Sequence, residues 1–165
     1  MTQETTALFD MNRTDASSDP DLSGYVTFRL SRLQAALNAQ AAQLLAKGAG
    51  LTLTQWRILA LIDGSGKASH GALMRSGAFD KGMLSRTIAG MISQGLLSEA
   101  RDDGDQRRQI LQITPLGRQR RDQAAPLMKQ RRERLMRDFS PEEAEALMVA
   151  LDKLMSAALD KDPIP

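Results

Sequence analysis

Apolar residues recur at three- and four-residue steps in Val26, Leu30, Leu33, Leu37, Ala41 and Leu44. That is the spacing of one helical face, and it predicts a helix from about Gly24 to Ala46, ended by Gly48-Ala49-Gly50. Residues 1–22 show no such period and carry Thr, Ser, Asp and one Pro, which predicts a mobile arm. Thr52 with Gln55 three residues on has the capping-box spacing and opens a short apolar helix through Trp56 to Ile62, stopped by Gly64-Ser65-Gly66. Two helical segments follow. One spans about Gly71 to Ser76, and the other starts after Asp80, a good N-cap, and ends at Gly95, suited to a left-handed stop.

The period then changes. Leu96–Arg101 and Arg108–Ile113 are strand-like, and Asp102-Asp103-Gly104-Asp105 between them is turn chemistry, so a hairpin is expected. Thr114-Pro115 reads as an N-cap followed by proline in the first helical position, opening a long helix to about Phe139 that Pro126 should kink or interrupt. Ser140-Pro141-Glu142-Glu143 repeats the device, with acids in the first turn. Ala144, Leu147, Leu151, Leu154 and Ala158 then step by three and four, a coiled-coil-like seam widened by Met148, Met155 and Leu159.

The order helix, helix, short helix, helix, hairpin, long helix, helix gives a mainly α fold with a small β-hairpin wing. Residues 51–113 form a winged helix-turn-helix. Such a lobe places one helix in a major groove about 12 Å wide and lets the hairpin reach a neighbouring groove or backbone. In the segment 80–88 and its continuation, Leu84, Ile88 and Met91 share one face and should be core. Lys81 opens the helix; Gly82, Met83, Arg86, Ala89, Gly90 and Ser93 point away, with Ser85 at the edge, so a duplex can approach closely and Arg86 can donate to guanine or phosphate. In the wing, Arg101, Arg107 and Arg108 supply cations. Asp105 lies two residues before Arg107 on an extended chain, on the side from which a carboxylate can hold that guanidinium for a minor groove. An ordinary amphipathic helix and a charged exposed turn would account for either feature alone; their adjacency favours DNA recognition.

Charge sharpens the picture slightly. Net charge is +2 overall, but residues 109–137 carry eight basic and two acidic side chains, while residues 1–22 and 138–165 are net acidic. That segregation suits a protein offering one face to a polyanion, and equally suits solvated faces of long helices. The chain has no cysteine, which removes disulfides, thiolate metal sites and thiol redox chemistry. The longest apolar run near the middle, Ile58 to Ile62, is far short of a membrane span, and the polar acidic start is no secretory signal, so a cytoplasmic location is expected. Gly64-Ser65-Gly66-Lys67 lacks the following Ser/Thr and the preceding strand of a phosphate loop, and the hairpin aspartates lack calcium-loop spacing. The sequon Asn12-Arg13-Thr14 has no signal peptide to make it meaningful. With a single histidine and no nucleophile–base pair, no enzyme, cofactor or metal site is expected.

The run Leu51-Thr52-Leu53-Thr54-Gln55-Trp56-Arg57-Ile58-Leu59, the Asp80-Lys81 helix start, Ser85-Arg86, Gly95-Leu96-Leu97, the Asp105-Gln106-Arg107 wing and Thr114-Pro115-Leu116-Gly117 together resemble the MarR family of bacterial transcription regulators, over roughly residues 24–160. The resemblance implies a triangular homodimer whose first, fifth and sixth helices form the dimer domain, with two winged lobes gripping a pseudo-palindromic operator on double-stranded DNA. It also implies a repressor, released in many members by a small, often aromatic effector bound between dimer domain and lobe. The expected organisation is therefore an arm (1–22), a dimerisation helix (23–50) joined by dimerisation helices (114–160), a DNA-binding domain (51–113) and a tail (161–165). Ala89 and Gly90 depart from the family, which commonly has an acidic–basic pair there, and Gly90 costs about 1 kcal/mol against alanine in a helix interior. His70-Gly71-Ala72 is a weak helix start. Tyr25 and Trp56, the only residues of their types, suit core or dimer packing, and His70 suits a helix start. As the residues best suited to an effector, Tyr25, Trp56, Arg29 and His70 are the candidates, in a pocket between the first helix, the Trp56 helix and the basic helix. The competing function is an architectural or scaffold winged helix binding DNA or protein without ligand control.

Overall fold

The computed structural model describes residues 22–76, 79–101 and 109–160. After a 3-10 turn at Leu22–Gly24 come α1 (Val26–Ala49), α2 (Leu53–Ser65), α3 (His70–Arg75), α4 (Lys81–Ser93), β1 (Leu97–Arg101), β2 (Gln109–Ile113), α5 (Pro115–Met136) and α6 (Pro141–Leu159). The acidic arm expected over residues 1–22 lies outside the described residues except for Leu22, as does the tail, 161–165.

Most boundaries are set by side chains within one turn of the helix they start. Thr52 Oγ1 accepts from the Gln55 backbone N–H at 3.2 Å and Gln55 Oε1 accepts from the Thr52 N–H at 2.9 Å, the reciprocal box expected of the pair. Asp80 caps α4 through the Met83 N–H, and Thr114 caps α5 through the Gly117 N–H. Ser140 and Glu143 close a second capping box on α6. The backbone N–H and the Ser140 hydroxyl hold the Glu142 carboxyl there below the usual carboxylate range. At the end of α4, Gly95 takes φ +70°, its N–H bonds to Ile92 O and the Leu96 N–H to Met91 O, which is a Schellman stop.

Four expectations need correction. α3 starts at His70 rather than Gly71, because Ser69 accepts from the Ala72 N–H at 3.2 Å and supplies the cap that His70-Gly71-Ala72 lacks. α1 runs through Gly48 to Ala49 and stops at Gly50 in the left-handed region; Gly48 is instead the place where Leu127 of α5 comes so close that a Cβ would collide with its Cδ1. Pro126 does not interrupt α5, which ends at Met136 and not Phe139. In α1 the buried positions are Ala41, Leu45 and Ala49, whereas Leu33 and Leu44 of the expected stripe are exposed.

The core lies under the lobe. Ile58, Leu59 and Ile62 of α2, Leu84, Ile88 and Met91 of α4, Leu73 of α3, and Leu97, Leu111 and Ile113 of the hairpin close on one another, with Leu45 and Ala49 of α1 and Ala124 of α5 beneath. The strands pair antiparallel from Leu97↔Ile113 to Arg101↔Gln109. Ala68 adds a third edge by exchanging both backbone hydrogen bonds with Leu111. α6 contributes no buried residue, and Leu147, Met148, Leu151, Leu154, Met155 and Leu159 are all exposed on it. No helix among the described residues is long and apolar enough to cross a membrane.

Candidate nucleic-acid interface

The capped start of α4 fixes which of its sides faces out. Leu84, Ile88 and Met91 are each no more than 1 % exposed, so at 100° per residue Lys81, Gly82, Met83, Ser85, Arg86, Ala89 and Ser93 are turned to solvent, and all are exposed. Nothing lies within 4 Å of the place where a Gly90 Cβ would stand, and Gly82 meets only its own Asp80 cap. The surface is low and rises mainly at Met83 and the two cations. Among the described residues, Lys81, Arg86 and Arg101 face no carboxylate partner, which leaves their charge available to a polyanion. Arg101 closes β1 opposite Gln109 and is exposed, at the foot of the wing. Asp105, Arg107 and Arg108 lie outside the described residues.

Part of the charge of the basic helix α5 is engaged by neighbouring elements. Arg118 donates to Ile113 O, Arg120 to Ala49 O, and Arg121 pairs with Asp63 at 2.9 Å. Arg131 donates to Leu37 O at 2.8 Å and to Gln40 Oε1 at 3.0 Å. These four guanidiniums tie α5 to α1, α2 and β2, so half of the strongest charge block of the sequence is structural, while Lys129, Arg132, Arg134 and Arg137 remain exposed.

Beside the lobe, α1, α2, α5 and α6 line an open cavity of about 580 Å³. Leu30, Leu33, Leu37, Leu53, Met128 and Leu151 make its walls, Trp56 its aromatic face, and Arg57 and Arg131 its cations. Arg57 donates to Asn38 Oδ1 at 3.0 Å, so both guanidiniums are oriented by neutral acceptors and keep their charge. Of the four effector candidates, only Trp56 lines this cavity. Arg29 belongs to a separate open groove with Phe28 and Arg32, whose guanidinium sits 5.9 Å above the Phe28 ring. Tyr25 is 59 % exposed at the N-cap of α1, and His70 starts α3 with Nδ1 4.0 Å from Glu99 of β1. One subunit therefore does not bring the four together. Nothing local in the sequence marks Arg57 and Arg131 for the cavity, because their partners lie 19 and 94 residues away.

Residues 49–108 match the MarR family model. No curated protein matches the chain by sequence. Among solved structures, the chain is similar to a probable transcriptional regulator from Pseudomonas aeruginosa at 26 % identity, covering 81 % of this chain and 98 % of that one, with a TM-score of 0.66. It is similar in fold to a mutant MarR from E. coli complexed with operator DNA (22 % identity, 83 % and 99 % covered, TM-score 0.66). It also shares the fold of Bordetella bronchiseptica BpsR, whose DNA binding is regulated by 6-hydroxynicotinic acid (22 % identity, 84 % and 98 % covered, TM-score 0.73). The segment 49–108 is thus similar to the MarR family, and the chain shares the winged helix-turn-helix fold of these transcriptional regulators over about four-fifths of its length.

Proposed function

We propose that this protein is a sequence-specific DNA-binding transcription regulator, a binding protein and not a catalyst, that acts as a homodimer and represses until an aromatic carboxylate enters the cavity beside Trp56. The observation that carries it is the outward side of α4, where Arg86 and Ser85 stand on a surface lowered by Gly82, Ala89 and Gly90, over a fully buried opposite side. The operator DNA held by E. coli MarR supports the same use of this lobe. Dimerisation is supported by the apolar, unburied α6, and residues 23–50 with 114–160 are assigned to it. Two lobes related by a two-fold axis read an inverted repeat with half-sites about one helical turn apart. Selection of bound sequences from random duplexes should return such a repeat, and protection of DNA without sequence preference would favour the scaffold alternative.

In the cavity, apolar walls suit a ring and the two guanidiniums suit its carboxylate. The aromatic acid that regulates BpsR supports that ligand class. Titration with benzoate should change Trp56 emission, and Arg57→Gln or Arg131→Gln should weaken binding about tenfold, the value of one charge-assisted hydrogen bond. If no aromatic carboxylate alters either Trp56 emission or DNA affinity, the cavity assignment is wrong.

The wing residues are proposed from their sequence pattern. Arg107 meets a minor groove, so Arg107→Ala should weaken binding to all sequences alike and reduce the salt slope by about one for each phosphate it no longer neutralises. Asp105→Ala should act in the same direction but more mildly, because Arg107 loses its anchor and keeps its charge. Simple charge counting predicts the opposite for removal of an acid, so tighter binding by Asp105→Ala would rule out an anchored wing.

A further inference from the structure

We propose that Gln55 and Gln94 form a positioning link between the cavity beside Trp56 and α4, so that the two are set as one unit; this rests on the DNA-binding function proposed for α4. Among the described residues Gln55 is the one buried polar side chain, 9 % exposed, and both ends of its amide are in use. Oε1 accepts from the Thr52 N–H, and Nε2 donates to Gln94 Oε1 at 3.0 Å across 39 residues. The capping box accounts for the first bond. It does not require the second, which leaves α2 and ends on α4.

Each end of that second bond sits at a functional boundary. On α2, Gln55 stands between Leu53 and Trp56, and both of these line the cavity. Gln94 is the C-cap of α4, its own N–H bonded to Gly90 O and followed at once by the Schellman stop at Gly95 and Leu96. The bond is part-buried, with Gln55 nearly covered and Gln94 at the surface, so α2 and the last turn of α4 cannot shift independently without breaking this link. The apolar core to which both α2 and α4 contribute resists separation but, being non-directional, tolerates sliding; the amide pair adds direction. A molecule that displaces the Leu53–Trp56 edge therefore tilts α4. By linkage, DNA seated on α4 must be felt at Trp56.

Trp56 is the only tryptophan, so its emission reports the cavity end directly. The experiment uses the full chain, ligand-free, with a labelled random-sequence duplex at low salt, where phosphate contacts alone give binding. Duplex anisotropy reads occupancy and Trp56 emission reads the link. Gln94→Met removes the acceptor, while Gln94→Glu keeps an acceptor oxygen; Gln94 is exposed at the C-cap of α4, about two turns beyond Ser85 and Arg86. The parent should change emission as anisotropy saturates. Gln94→Met should bind with affinity within about threefold of the parent yet lose roughly half or more of the emission change, and Gln94→Glu should retain it, a split that loss of stability alone does not produce. A parental emission response in Gln94→Met at equal occupancy overturns the link, as does a parent whose emission stays flat at saturation. No anisotropy change with the parent overturns the DNA-binding function and the link together.

Discussion

Glutamate at both Leu151 and Leu154 is expected to convert the protein to monomers that no longer hold operator DNA at concentrations where the parent does. The two leucines stand on the same seam of α6 and remain 37 % and 39 % exposed in one subunit, on a helix that buries none of its residues there. α6 begins with a full capping box and a proline, so it is a committed helix whose apolar side the described residues leave partly exposed. Burying a leucine completely contributes about 2 kcal/mol; with about two-fifths of each still exposed and each position counted twice by a two-fold axis, the four leucines amount to roughly 3 kcal/mol before the cost of burying carboxylates is added. Light scattering at micromolar concentration checks it. The parent should run as a dimer and the variant at half its mass; a parent that is a folded monomer would contradict the role given to α6.

Gly117→Ala should destabilise the lobe by about 3 kcal/mol or more, at the upper end of the cost of overpacking a close-fitted site. A Cβ there would collide with the Leu96 carbonyl oxygen and approach Ile113 Cγ2 to 2.8 Å. The carbonyl cannot step aside. It accepts from the Thr114 N–H, directly after the Schellman stop that ends α4, so three elements meet at this point. Backbone strain is not involved, since Gly117 is helical and holds no positive φ. Urea unfolding would measure the loss, and a variant as stable as the parent would show that α5 can move off the hairpin freely.

The contrast between these sites explains what is legible from residues alone. Thr52, Asp80, Thr114 and Ser140 are readable because each cap acts on a backbone N–H three residues away, inside the window in which sequence patterns operate. The buried side of α4 is readable for the same reason: Leu84, Ile88 and Met91 fall on one 3.6-residue period. Gly48 looks like a stop in the sequence, but its need for glycine comes from Leu127, far along the chain. At α3 the poor helix formers His70-Gly71-Ala72 mask the signal, which is the Ser69 hydroxyl just before them. At the cavity, residue type is a poor guide. Tyr25, Arg29 and His70 stand out as scarce or charged groups, whereas Arg57 and Arg131 reach the cavity through partners that only the fold supplies. Arg118, Arg120 and Arg121 of α5 follow the same rule: part of a charge block in the sequence becomes a set of ties to carbonyls and to Asp63. Across the hairpin, the pairing from Leu97↔Ile113 to Arg101↔Gln109 falls within the two strand-like runs, although burial does not alternate strictly along either strand, and the wing residues beyond it rest on their sequence.

The central claim is that α4 reads sequence through Arg86. The most direct measurement compares Arg86→Ala with the parent on two duplexes, one recovered by selection and one a scrambled copy, at several salt concentrations. Arg86→Ala should lose about 1–3 kcal/mol on the selected duplex and little on the scrambled one, and a repeated selection should show relaxed preference at one base position in each half-site. Equal losses on both duplexes, with the salt slope reduced and the preference intact, would contradict the account and leave Arg86 a phosphate contact only.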